Sequence, residues 1–158
     1  MNAQGATIHV LDLLEEHERV IGRLYAAYAE RFPTERTFWQ SLSQEEDKHA
    51  ECIASLRPKI ENDPDSLIVA RFPEAAIEHS IAYINNLIDQ VDHPSLTRTK
   101  AISAAMNIET ALLENKFFEV FASDNPSLRR ALELLEQGTQ SHLQRVRQLW
   151  ASDAQSNS

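Results

Sequence analysis

Apolar residues recur in alternating steps of three and four along five stretches of this chain, the stripe that an amphipathic helix turns toward a core. The first stripe is Leu11, Leu14, Glu18, Ile21, Tyr25, Tyr28 and Phe32, predicting a helix over about 8–31. Pro33-Thr34 breaks it, and Thr34 is placed to cap a second helix reaching about Ile60. That helix carries Trp39, Leu42, Glu46, His49, Ile53, Leu56 and Ile60. After an irregular stretch, Glu61 to Pro73, a shorter helix to about Val91 presents Ala76, Ile77, Ile81, Ile84, Leu87, Ile88 and Val91. Asp92-His93-Pro94-Ser95 interrupts the pattern, with Ser95 the expected cap of a helix to about Ser123. Its stripe is Ile102, Ala105, Glu109, Leu112, Leu113, Phe117 and Phe121. Asp124-Asn125-Pro126 stops and restarts the chain, with proline at a first helical position. The last stripe is Leu128, Leu132, Leu135, Thr139, His142, Val146 and Leu149.

The expected fold is therefore all-α. The connection between the first two helices is short, so they should lie antiparallel. A long link follows the second helix and contains a helix of its own. Four long helices joined short, long, short give a four-helix bundle with one long crossover, the ferritin-like topology. The expected division is a flexible segment 1–7, one helical domain 8–150, and a disordered polar tail 151–158.

Each of the four long stripes is broken near its middle by a polar residue: Glu18, then Glu46 with His49, then Glu109, then Thr139 with His142. Glu46-x-x-His49 puts a carboxylate and an imidazole on one helix face, one turn apart. A charged group in a core costs several kcal/mol, in order of magnitude, unless it is paired or bound to a metal. Carboxylates and imidazoles at matching heights on four helices would meet at the centre, where like charges keep at least one acid protonated unless cations are present. Carboxylate with imidazole suits divalent iron or manganese.

That pattern resembles the ferritin-like di-iron carboxylate proteins, most closely the rubrerythrin-type domain, over about 11–149. The family places one glutamate on each of two helices and Glu-x-x-His on each of the other two. Glu18, Glu46, His49, Glu109 and His142 match five of its six ligands. Local echoes are Tyr25 and Tyr28 after the first glutamate, and Phe38-Trp39 leading into Ser43-Gln44-Glu45-Glu46-Asp47-Lys48-His49. Thr139 stands where the family usually supplies a second bridging carboxylate.

The resemblance implies that Glu46 bridges two irons, with Glu18 and His49 on one side and Glu109 and His142 on the other. It implies oxidation of Fe(II) coupled to reduction of peroxide or oxygen, a peroxidase- or ferroxidase-type oxidoreductase with Glu46, and Tyr25 beside it, at the reacting centre. No rubredoxin module is present in the sequence, so the electron donor would be a separate rubredoxin-like protein. With Thr139 in the sixth position, the alternative is a non-enzymatic module holding one iron, manganese or zinc for sensing, or a structural one. Mini-ferritin storage is a third class, set aside because those proteins build their site between subunits with another motif.

Totals narrow the partners. Among 158 residues the formal charge is −9, against a nucleic-acid partner, since phosphate binding needs a basic face. No apolar run reaches the roughly 18 residues of a membrane span. Cys52 is the single cysteine, which excludes an internal disulfide and a CxxC zinc knuckle and makes a reducing cytoplasm the default compartment. His9, His17, His79 and His93 fall off the stripes and are expected in solvent, as are Glu15, Glu16, Glu45, Glu51, Glu114 and Glu119. Cys52 is expected as a buried small hydrophobe, and the apolar residues of the crossover helix, with Trp150, either to cover the bundle or to form the surface of a homodimer.

Overall fold

The computed structural model describes residues 3–62, 74–114 and 126–156, and every regular element in them is helical. These are α1 (Ala3–Arg31), α2 (Arg36–Glu61), α3 (Glu74–Asp89), α4 (Arg98–Glu114) and α5 (Pro126–Ser156), with a 3-10 turn at Pro33–Glu35 between the first two. Helix α1 lies along α2 on one side and α3 on another, α4 along α5, and α2 touches α5. No helix among the described residues is long and apolar enough to cross a membrane.

The stripes explain the packing. On α2, Trp39, Leu42, Glu46, Ile53, Leu56 and Ile60 are buried as their spacing predicts, joined by Ala50. His49, on the same stripe, keeps 15% of its side chain exposed. Fully burying one aliphatic side chain stabilises a fold by about 1.5–3 kcal/mol. The shared core, from Leu11 and Leu14 through Leu42 and Ile53 to Ile102 and Val146, supplies that many times over. Tyr25, Tyr28, Phe38 and Trp39 form one aromatic group, Trp39 lying 5.6 Å from Tyr25, 5.1 Å from Tyr28 and 5.0 Å from Phe38, centre to centre.

Several element ends differ from the sequence reading. Thr34 caps nothing: it lies inside the 3-10 turn, and Glu35 is the residue before α2, without a side-chain cap. Helix α4 starts at Arg98, where the Thr97 hydroxyl accepts the backbone N–H of Lys100 at 3.2 Å. Ser95 is instead held by His93, its hydroxyl 2.6 Å from Nδ1. Short polar residues compete for the cap, and the one whose side chain reaches the first free N–H wins. Helix α1 begins at Ala3 and α5 continues to Ser156, beyond the ends read from the apolar pattern. The irregular stretch up to Pro73 lies mostly outside the described residues, as do Phe117 and Phe121. Arg31, at the end of α1, donates to the carbonyls of Val91 and Leu96 at 3.1 and 3.3 Å and ties the α3–α4 loop to the α1–α2 pair.

Candidate metal centre

The polar residues that interrupt the stripes meet in one place. Glu18 comes from α1, Glu46 and His49 from α2, Glu109 from α4, and Thr139 and His142 from α5. Glu18, Glu46, Glu109, Thr139 and His142 are all at most 2% exposed.

Their contacts form a chain with Glu46 in the middle. Nδ1 of His49 lies 3.4 Å from Glu46 Oε2 and 3.9 Å from Glu18 Oε2. Nδ1 of His142 lies 2.8 Å from Glu46 Oε1 and 3.5 Å from Glu109 Oε1. Each oxygen of Glu46 thus faces a different imidazole, and each imidazole faces a second glutamate. The two rings stack with centres 5.1 Å apart and 22° between their planes. Tyr25 donates its hydroxyl proton to Glu109 Oε1 at 2.8 Å, which fixes the rotamer of that carboxylate.

Burial shapes the charges. Removal from water pushes the Glu18 carboxyl up to about 8, reinforced by the neighbouring charge of Glu46. Burial presses His49 and His142 downward, but hydrogen bonds and charge from the flanking glutamates outweigh it and raise both to about 10. Burial, and then the charge of Glu109, hold the Tyr25 phenol well above its ordinary value.

The fit of a metal rests on the atoms left over. Glu18 Oε2, Glu46 Oε2, His49 Nδ1, Glu109 Oε2 and His142 Nε2 are buried without a hydrogen-bond partner. Three of them, Glu18 Oε2, Glu46 Oε2 and His49 Nδ1, face one another at ion-pair distance, and buried polar atoms are usually better satisfied than this, so the cluster could accept an ion that binds oxygen and nitrogen. Glu46, His49 and His142 each offer a ligand atom within 4.8 Å of the other two. The donor set, carboxylate and imidazole without thiolate, fits divalent iron, manganese or zinc.

Thr139 is buried beside the cluster, and its hydroxyl donates to the Leu135 carbonyl of its own helix at 3.1 Å; a neutral hydroxyl there supplies no charge to balance a cation. Glycine at 138 matters as well. A Cβ there would come 2.4 Å from His49 Nε2, so only glycine lets the imidazole lie against α5. Gly138 was not singled out from the sequence; a glycine beside the ligand-bearing turn of a helix was the available signal.

His17 corrects a second expectation. It is 1% exposed, with Nε2 2.8 Å from the Ser80 hydroxyl of α3. Burial lowers its pKa, partly opposed by the charge of Glu18. The reason is that α1 buries two faces. A second stripe of Val10, Leu13, His17, Val20, Leu24 and Ala27 runs at 3-4 spacing beside the first and meets α3. Glu45, expected in solvent, is partly buried and bound by Arg145. Cys52 is only half-buried. A second group, His9, Glu74 and Glu78, gathers where α1 meets the start of α3, but its members are partly or fully exposed.

No protein-family model matches this chain, and neither does a curated protein or a solved structure.

Proposed function

We propose that this chain is a metal-binding protein whose centre holds two divalent ions, iron or manganese, bridged by Glu46. The observation that carries the reading is the two-sided arrangement around Glu46: Oε2 toward His49 and Glu18, Oε1 toward His142 and Glu109. One carboxylate facing two half-sites, each with an imidazole and a second glutamate, suits a dinuclear centre, and a lone core ion pair does not need it. The arrangement of α1, α2, α4 and α5 around that centre, with α3 in the long connection, supports the ferritin-like bundle read from the stripes.

Glu18, Glu46, His49, Glu109 and His142 would hold the metal, and iron bound there would supply the electrons for reducing dioxygen or a peroxide, the oxidoreductase chemistry that the resemblance implies. The chain's own residues do the rest. Tyr25 orients Glu109 through its hydrogen bond, the aromatic group beyond it excludes water, and His49, the one ligand with solvent exposure, marks the side open to a small oxidant.

A second reading keeps one ion on Glu46, His49 and His142, the three residues whose ligand atoms all approach one another. A neutral hydroxyl at Thr139 in place of a further carboxylate favours it. Anaerobic loading with Fe(II), followed by metal analysis of the desalted chain, separates the two. The two-metal reading expects two ions per chain, lowered below one by Glu46→Ala. One ion per chain, unaffected by removing Glu18 or Glu109, supports the single-ion reading. No bound metal in the folded protein excludes both.

A further inference from the structure

The two halves of the cluster are alike in their inner ligands and unlike in what stands behind each imidazole. A ring that binds metal through Nδ1 carries its proton on Nε2, and the group accepting that proton fixes the ring's tautomer and orientation. Behind His142 stands a carboxylate. Glu45 Oε1 is 3.9 Å from His142 Nε2, and Glu45 is itself immobilised. Arg145 donates from Nη1 to both of its oxygens, at 3.0 and 2.7 Å, and Ser41 adds a hydroxyl at 3.3 Å. Nη2 of Arg145 donates to the same Ser41 hydroxyl at 3.0 Å, closing the clamp between α2 and α5. At that distance the carboxylate acts on the ring through its charge and not through a hydrogen bond, and His142 Nε2 is a buried atom with no hydrogen-bond partner.

Behind His49 stands backbone. Its Nε2 abuts Gly138, closely enough that a Cβ would fall 2.4 Å away. Its ion-pair contacts among the described residues, with Glu18 and Glu46, both run through Nδ1. Among the described residues no charged acceptor backs the ring, and 15% of the side chain meets solvent against 1% for His142.

We infer that the two metal positions are unequal: the His142/Glu109 position fills first and holds tighter because Glu45, clamped by Arg145 and Ser41, positions the His142 ring, while the His49/Glu18 position fills second. This rests on the two-metal reading. Glu45 is a positioning residue, since it touches His142 and not the metal. Removing such a partner typically lowers metal affinity about 10- to 100-fold.

The test is stepwise titration of the full-length chain with Co(II), followed by visible absorption and by competition with a chelator. The wild-type chain should show two steps. His49→Ala should keep the tight step and lose the weak one, and His142→Ala should do the reverse. Glu45→Gln, which preserves the shape, should weaken the tight step about 10- to 100-fold and leave the weak one in place. Gly138→Ala should abolish the weak step alone, by displacing the His49 ring. Thermal melting checks that each variant is folded; if Gly138→Ala does not fold, the His49→Ala and Glu45→Gln pair decides. Two equal steps, or a tight step unchanged in Glu45→Gln, would overturn the inference while leaving the two-metal reading intact. A folded wild-type chain that takes up no Co(II) overturns both.

Discussion

Glu46 is the residue on which the cluster depends, because each of its oxygens serves a different imidazole. Its environment fixes a pH dependence. Glu18, His49 and His142 bind protons more tightly in the folded chain than in the unfolded one, at about 8 against 4.5 for the acid and about 10 against 6.5 for the imidazoles. A raised folded-state value gives stability that is complete below the unfolded value and is lost as pH rises through the folded one. The cluster's contribution to the stability of metal-free protein should therefore decline from pH 4.5 to 8 through Glu18 and from 6.5 to 10 through the histidines. Metal must displace those protons, so binding should release them and tighten as pH rises. Calorimetric titration in buffers of differing ionisation enthalpy measures that release, and uptake or no exchange would contradict it. Tyr25→Phe removes the donor to Glu109. Leaving a buried acceptor unpaired costs about 1–3 kcal/mol, so metal-free Tyr25→Phe should melt lower, and bound metal should restore part of the loss.

At the scale of elements, the 3-4 spacing revealed the helices and their inward faces, while their ends depended on contacts that spacing does not encode. Glu18, Glu46, Glu109 and His142 were legible because a polar residue on an apolar stripe is conspicuous. His17 was not, since it lies on the second stripe of a helix with two buried faces, and single-stripe reading assigns such a residue to solvent. Gly138 and Glu45 escaped for another reason: what they do is set by how closely α5 approaches α2. Helix α3 bears none of the cluster's ligands and packs on α1 through Ile77 and Ile84, both fully buried, with Ser80 on His17. Ile84→Ala should cost about 2–5 kcal/mol and speed hydrogen exchange in α3, with metal stoichiometry unchanged. Thr97→Ala, which removes the α4 cap, should cost about 0.5–2 kcal/mol. Loss of metal uptake in a folded Ile84→Ala protein would show that α3 supports the centre directly.

Over the whole molecule, a net charge of −9 and a cluster rich in carboxylates both favour divalent cations, one by attraction and the other by coordination. The core that holds the cluster is continuous across α1, α2, α4 and α5, so the ligands are placed by packing before any ion arrives. The measurement that bears most directly on the account is low-temperature electron paramagnetic resonance of the chain loaded anaerobically with Mn(II). Two ions sharing Glu46, about 3.5–4 Å apart as in other two-metal sites, should give the spectrum of an exchange-coupled pair. Glu46→Ala should abolish it. A spectrum of isolated Mn(II) ions at every loading, with the fold intact, would contradict the shared-carboxylate centre.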